Sequence, residues 1–155
     1  MEIDIKNQTI EKNKKADKSL VDELVRKSNR ILASLSTHKF PFDFFPDTLN
    51  VEEGRITIIR RNFFFSSEVR SIDIPDIANV FINVSPFFAQ LVLVSKTFTE
   101  NETKINYLRK DEAVFVRVII EGLRIFNKKG IDTSHYTEEE LVQKLQELST
   151  TEIVT

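Results

Sequence analysis

Lys110-Asp-Glu-Ala-Val-Phe-Val-Arg-Val-Ile-Ile-Glu-Gly-Leu-Arg-Ile-Phe-Asn-Lys128 decides the fold. Its middle, Val114 to Ile120, is rich in β-branched residues and suits a strand as well as a helix. Three features select the helix. Asp111 and Glu112 put negative charge where a helix N-terminus attracts it. Ala113, Val116, Ile120 and Leu123 form one stripe, with Phe115, Ile119 and Phe126 beside it. Lys128 and Lys129 supply cations for the last turn, and Gly130 then tolerates left-handed backbone. Gly122 costs about 1 kcal/mol relative to alanine inside a helix. Its missing side chain is expected to let the helix approach a sheet closely.

Short β-like runs precede this helix. They are Leu49 to Glu52, Arg55 to Arg60, Glu68 to Ile74, Val80 to Val84, Phe88 to Val94 and Thr103 to Leu108. Val80, Ile82 and Val84 alternate with Phe81 and Asn83, as in a half-buried strand. Phe87 to Val94 is apolar on both faces and reads as a central strand. Gly54 is expected to supply positive φ in a hairpin turn, Ser66-Ser67 is the next turn, and Pro75-Asp76 ends the third run. Strands first and one helix last give an α+β chain with an antiparallel sheet, not a βαβ unit.

Four segments follow. Residues 1–16 are a polar, lysine-containing tail, read as disordered. Residues 17–36 are read as an amphipathic helix, with Leu20, Val21, Leu24, Val25, Ile31, Leu32 and Leu35 on one face and Glu23, Arg26, Lys27 and Arg30 opposite. Residues 37–130 hold the sheet and its helix. Residues 131–155 form a short acidic helix and tail, opened by a capping box of Thr137 and Glu140. Each terminal helix packs on its own domain or docks elsewhere. For the first, a self-pairing coiled coil and a surface-lying membrane helix stay open.

The chain has 155 residues, enough for one domain with a core, and a net charge of −2. That balance excludes whole-molecule attraction to nucleic acid or anionic lipid. Cysteine is absent, which excludes disulfides, thiol nucleophiles and thiolate metal sites. No apolar run reaches the roughly 20 residues needed to span a bilayer, and the first residues lack a secretory pattern. The expectation is a soluble, cytoplasmic protein. Of 13 phenylalanines, 11 lie between Phe40 and Phe98. They are expected to fill the β core.

The patterns Arg55-Ile-Thr-Ile-Ile-Arg-Arg, Ile72-Asp-Ile-Pro-Asp-Ile-Ala-Asn-Val-Phe-Ile, Phe87-Phe-Ala-Gln-Leu-Val-Leu and Leu108-Arg-Lys-Asp-Glu-Ala resemble the pleckstrin-homology-like (PH-like) fold, in particular the small PH-like domains of bacterial proteins. The resemblance covers about residues 44–123. It implies an antiparallel β-sandwich or partial barrel capped by a C-terminal helix, and a non-catalytic binding role. The helix tryptophan and the basic inositol-phosphate motif of the eukaryotic family have no counterpart here. Glu52, Glu53 and Arg55 occupy that turn, so no lipid ligand is implied.

Chemistry-bearing motifs are sparse. His38 and His135 are far apart, without metal-ligand spacing. The three glycines are isolated, so no phosphate loop exists, and no cofactor or metal is expected. One basic-aromatic constellation stands out, Arg60 and Arg61 followed by Phe63, Phe64 and Phe65, with Arg70 as a neighbour across the hairpin. Arginine grips phosphates and phenylalanine stacks bases, so single-stranded nucleic acid is one reading of that patch. The leading reading is a non-enzymatic binding or scaffolding module. Its partner is a protein or a second copy, met along a sheet edge or through a terminal helix. Peripheral membrane contact through the N-terminal segment is the remaining alternative.

Overall fold

The computed structural model describes residues 12, 14–25, 30–38, 45–61, 66–97 and 101–154. Residues 14–25 are helical (α1). Then come β1 (Ile31–Ser36), β2 (Thr48–Glu52), β3 (Arg55–Arg61), β4 (Ser67–Asp73), a 3-10 turn (Ile74–Asp76), β5 (Ile77–Val84), β6 (Ala89–Ser95), β7 (Glu102–Leu108), α2 (Lys110–Lys129) and α3 (Glu138–Val154). The strands form two antiparallel meanders, ordered β1-β2-β3-β4 and β5-β6-β7. The sheets share one core with α2 and α3 and do not close into a barrel. The protein is thus α+β, two antiparallel meanders followed by the helices α2 and α3.

Alternation builds this core. Leu49, Val51, Ile56, Ile58, Ile72, Val80, Leu91 and Leu93 are each at most 2% exposed, one inward residue per strand step. β6 is the central strand of its sheet, buried on both faces at Leu91, Val92 and Leu93. α2 buries Ala113, Val116, Ile119, Ile120 and Leu123 in the same core. Gly130 ends α2 at φ 63°, its N–H donating to Asn127 O (3.1 Å), and the Ile131 N–H donates to Phe126 O (3.0 Å).

Several expectations are corrected. The helix expected over 17–36 does not reach its end, because Ile31–Ser36 is β1, paired antiparallel with β2. A bulge between Ile31 and Ala33 turns Leu32 inward beside Ala33 and Leu35, all buried. Its spacing therefore imitates a helical stripe. Gly54 does not take positive φ; among the described residues Tyr107 and Gly130 do. The close approach at Gly122 is to α3, not to a sheet. A Cβ there would lie 2.8 Å from Leu145 Cδ2 and 3.2 Å from the Leu145 carbonyl oxygen. Among the described residues the core is aliphatic, and Phe40, Phe42, Phe44 and Phe98 lie outside them with Phe63 to Phe65. Phe45, Phe81 and Phe87 are exposed and no described phenylalanine is fully buried. Residues 14–16, read as part of a disordered tail, are helical, whereas 1–11 lie outside the described residues.

Candidate binding surfaces

The Arg60–Arg61 strip sits where β3 leaves the core. Ile56, Ile58 and Arg60 alternate on one face of β3, and the register sets Arg60 opposite Glu68 and Ile58 opposite Arg70. Arg70 Nη2 stands 3.5 Å from Glu68 Oε1, and Arg60 Nη2 donates to the Lys104 carbonyl (3.3 Å). Arg61 is exposed; its backbone N–H donates to Asp47 Oδ1 (3.1 Å). Lys104 is paired with Glu102 at 3.2 Å. The structure therefore gathers Arg60, Arg70 and the Lys104 backbone, but interleaves them with carboxylates. Phe63, Phe64 and Phe65 lie outside the described residues. Arg109 and Lys110 stand apart at the start of α2, held by Asp111 (3.2 Å) and the Pro86 carbonyl (2.8 Å).

The two histidines are separated by the length of α2. His38 Nε2 lies 3.7 Å from Glu112 Oε2 at one end, and His135 Nε2 lies 3.5 Å from Asp132 at the other. Among the described residues no group of three His, Cys, Asp or Glu stands close enough to hold a metal ion. Two clefts among the described residues are open to solvent. One of about 430 Å³ is lined by Phe81, Val92, Lys104 and Arg117, and another of about 520 Å³ by Ile77, Lys96, Glu121 and Arg124. In the second, Arg124 is already committed to Glu121 (2.6 Å) and to the Ala78 carbonyl (2.6 Å).

A polar clasp escaped the sequence reading. Arg30 was placed on the solvent face of a helix, yet it is 8% exposed. Its Nε donates to Glu53 Oε2 (2.8 Å), its Nη1 to the Tyr136 carbonyl (2.6 Å) and its Nη2 to the Thr133 carbonyl (3.3 Å). The Thr133 hydroxyl donates to the other Glu53 oxygen. One buried ion pair thus ties the start of β1, the β2–β3 turn and the α2–α3 corner. Nothing in the local spacing of Arg30 signals this, because its three partners are remote in sequence.

The terminal helices differ in what they expose. In α3 the capping box forms: Glu140 Oε2 accepts from the Thr137 N–H (2.9 Å), and the Glu140 N–H donates back to the Thr137 hydroxyl (3.3 Å). These bonds to Thr137, the backbone one first, hold the Glu140 carboxyl below its ordinary pKa. Leu141 and Leu145 are fully buried. In α1, Leu20, Val21, Leu24 and Val25 are each more than half exposed. No helix among the described residues is long and apolar enough to cross a membrane.

No family model matches the chain, and no curated protein matches it. Among solved structures it is similar to a DUF1696 family protein with a pleckstrin-homology domain from Shewanella loihica PV-4. The two share 10% identity and a TM-score of 0.44, over 59% of this chain and 97% of that one.

Proposed function

We propose that the protein is a non-catalytic scaffolding module that associates with a second copy of itself through α1. The carrying observation is the bare stripe of Leu20, Val21, Leu24 and Val25 beside a domain whose other helices bury their apolar faces. Burying such a stripe releases about 25 cal/mol per Å² of apolar surface. Its charges favour a second copy. Lys14, Lys15 and Lys18, with Asp17 among them, precede the stripe, and Asp22 and Glu23 lie within it. Two antiparallel helices set the basic end of each against the acidic part of the other. An anionic bilayer would meet those same acids unfavourably. The nucleic-acid reading of Arg60 and Arg61 gains no support, since carboxylates interleave that strip.

Light scattering and native mass spectrometry on the full chain test this. The Leu20→Glu/Leu24→Glu variant is expected to lower the average mass at equal concentration. An unchanged mass in that variant would remove α1 as an association element.

A further inference from the structure

The two sheets present four edges, and three carry a device that blocks further pairing. β1 is bulged between Ile31 and Ala33 and packs against α2 and α3. β5 is bulged between Ile77 and Asn79, and Arg124 occupies the Ile77 and Ala78 carbonyls at 3.1 and 2.6 Å. β7 breaks register with β6 between the partners of Ala89 and Leu91, with Tyr107 at φ 60°. Its carbonyls at Lys104 and Tyr107 are taken by Arg60 and by the His38 N–H.

Among the described residues β4 has no such device. It runs seven residues without proline, keeps unbroken register with β3 from Arg55↔Asp73 to Arg61↔Ser67, and is exposed at Ser67, Glu68, Val69 and Ser71. A regular, uncovered edge is a template for another strand. The Ile74 N–H donates to the Gly54 carbonyl (2.9 Å), which sets the phase of the β3–β4 ladder. Even-numbered residues of β4 bond to β3, and Ser67, Val69 and Ser71 aim their N–H and C=O groups outward.

We propose that β4 pairs antiparallel with β4 of a second copy, centred on Val69, joining two four-stranded sheets into one. In this register Val69 faces Val69 of the second copy, and Ser67 faces Ser71, all at hydrogen-bonded positions. Glu68 faces Arg70 of the second copy, and Arg70 faces Glu68, at the non-hydrogen-bonded positions where side chains come closest. Sliding by two residues either way sets Arg70 against Arg70 or Glu68 against Glu68. Charge thus selects one of the registers the backbone allows. Glu68 and Arg70 now pair within one strand, both partly exposed, so exchanging partners loses little. The contact is two-fold and closes on itself. It does not rest on the proposal for α1; together the two contacts link copies into an open row.

The test uses the full chain carrying Leu20→Glu/Leu24→Glu, so that α1 is silent, followed by sedimentation equilibrium over graded concentration. This parent is expected to dimerise. Glu68→Arg alone gives each chain two cations on the edge, and Arg70→Glu alone gives it two acids. Each is expected to dimerise about tenfold more weakly, and an equimolar mixture of the two to recover the dimer. Amide exchange at Val69 should slow as the parent is concentrated, and circular dichroism of each variant checks the fold. A parent that stays monomeric, or single-charge variants that dimerise as well as it does, would overturn the proposal. Either result leaves the reading of α1 untouched, because that reading is tested on Leu20 and Leu24.

Discussion

α1 and α3 are both short amphipathic helices flanking one folded unit, and only one has a seat. α3 finds a notch in α2, where Gly122 leaves room for Leu145 down to its backbone, and a capping box to start it. α1 has apolar residues of the same kind but leaves them in solvent. The lesson is that an apolar stripe does not dock by itself. It docks where another surface omits the atoms that would keep it away.

The clasp at the root of both helices gives the largest effect. Arg30→Ala leaves the buried Glu53 carboxylate unpaired and frees the Thr133 and Tyr136 carbonyls. A loss of about 3–5 kcal/mol is expected in denaturant unfolding. A loss within 0.5 kcal/mol would show that the clasp does not hold the α2–α3 corner.

Filling the notch comes next. Gly122→Val gains helix propensity over glycine but drives side-chain atoms into Leu145. A net loss of about 1–3 kcal/mol is expected, with new exposure of Leu141 and Leu145 detectable by dye binding. A more stable variant would mean that the seat is loose, and α3 would then resemble α1.

For α1 the contrast runs the other way. Leu20→Glu/Leu24→Glu should change unfolding stability by less than about 0.5 kcal/mol, because no described residue covers that stripe. The mass of the assembly should still fall. A large loss of stability would show that the stripe is packed in solution.

The smallest effect is on the α3 cap. Glu140 is held below its ordinary pKa by Thr137, and Glu147 by Lys144. A carboxyl depressed in the folded state stabilises it at neutral pH. That contribution is lost as pH falls through the lowered folded value. Amide exchange at Leu141 and Leu145 should therefore quicken in acid. Thr137→Ala should cost about 1 kcal/mol and remove the Glu140 part of that acid step, leaving the part that Lys144 gives Glu147.

Much of the fold was legible because alternation and helical spacing are local. The alternation of Val80, Phe81 and Ile82, the α2 stripe and the Thr137–Glu140 box read correctly from neighbouring residues; the central strand expected from Phe87 starts only at Ala89, and Phe87 and Val84 are exposed. β1 did not read correctly, because a bulge places Leu32 with Ala33 and Leu35 and so mimics a helix. Of the clustered phenylalanines among the described residues, Phe45, Phe81 and Phe87 face solvent, while β-branched and leucine side chains fill the described core. Arg30 was illegible for a different reason. Its partners, Glu53, Thr133 and Tyr136, meet it only after both sheets and α2 are in place. The open edge of β4 depends likewise on which neighbours the other edges acquire.

The Arg30 fork has a mechanical consequence. A pull on α1 would reach the clasp at residue 30. There the guanidinium grips the β2–β3 turn and the α2–α3 corner together. Tension is shared between two separate parts of the fold before it can peel β1 away from β2, so the arm can bear strain without unzipping the sheet behind it.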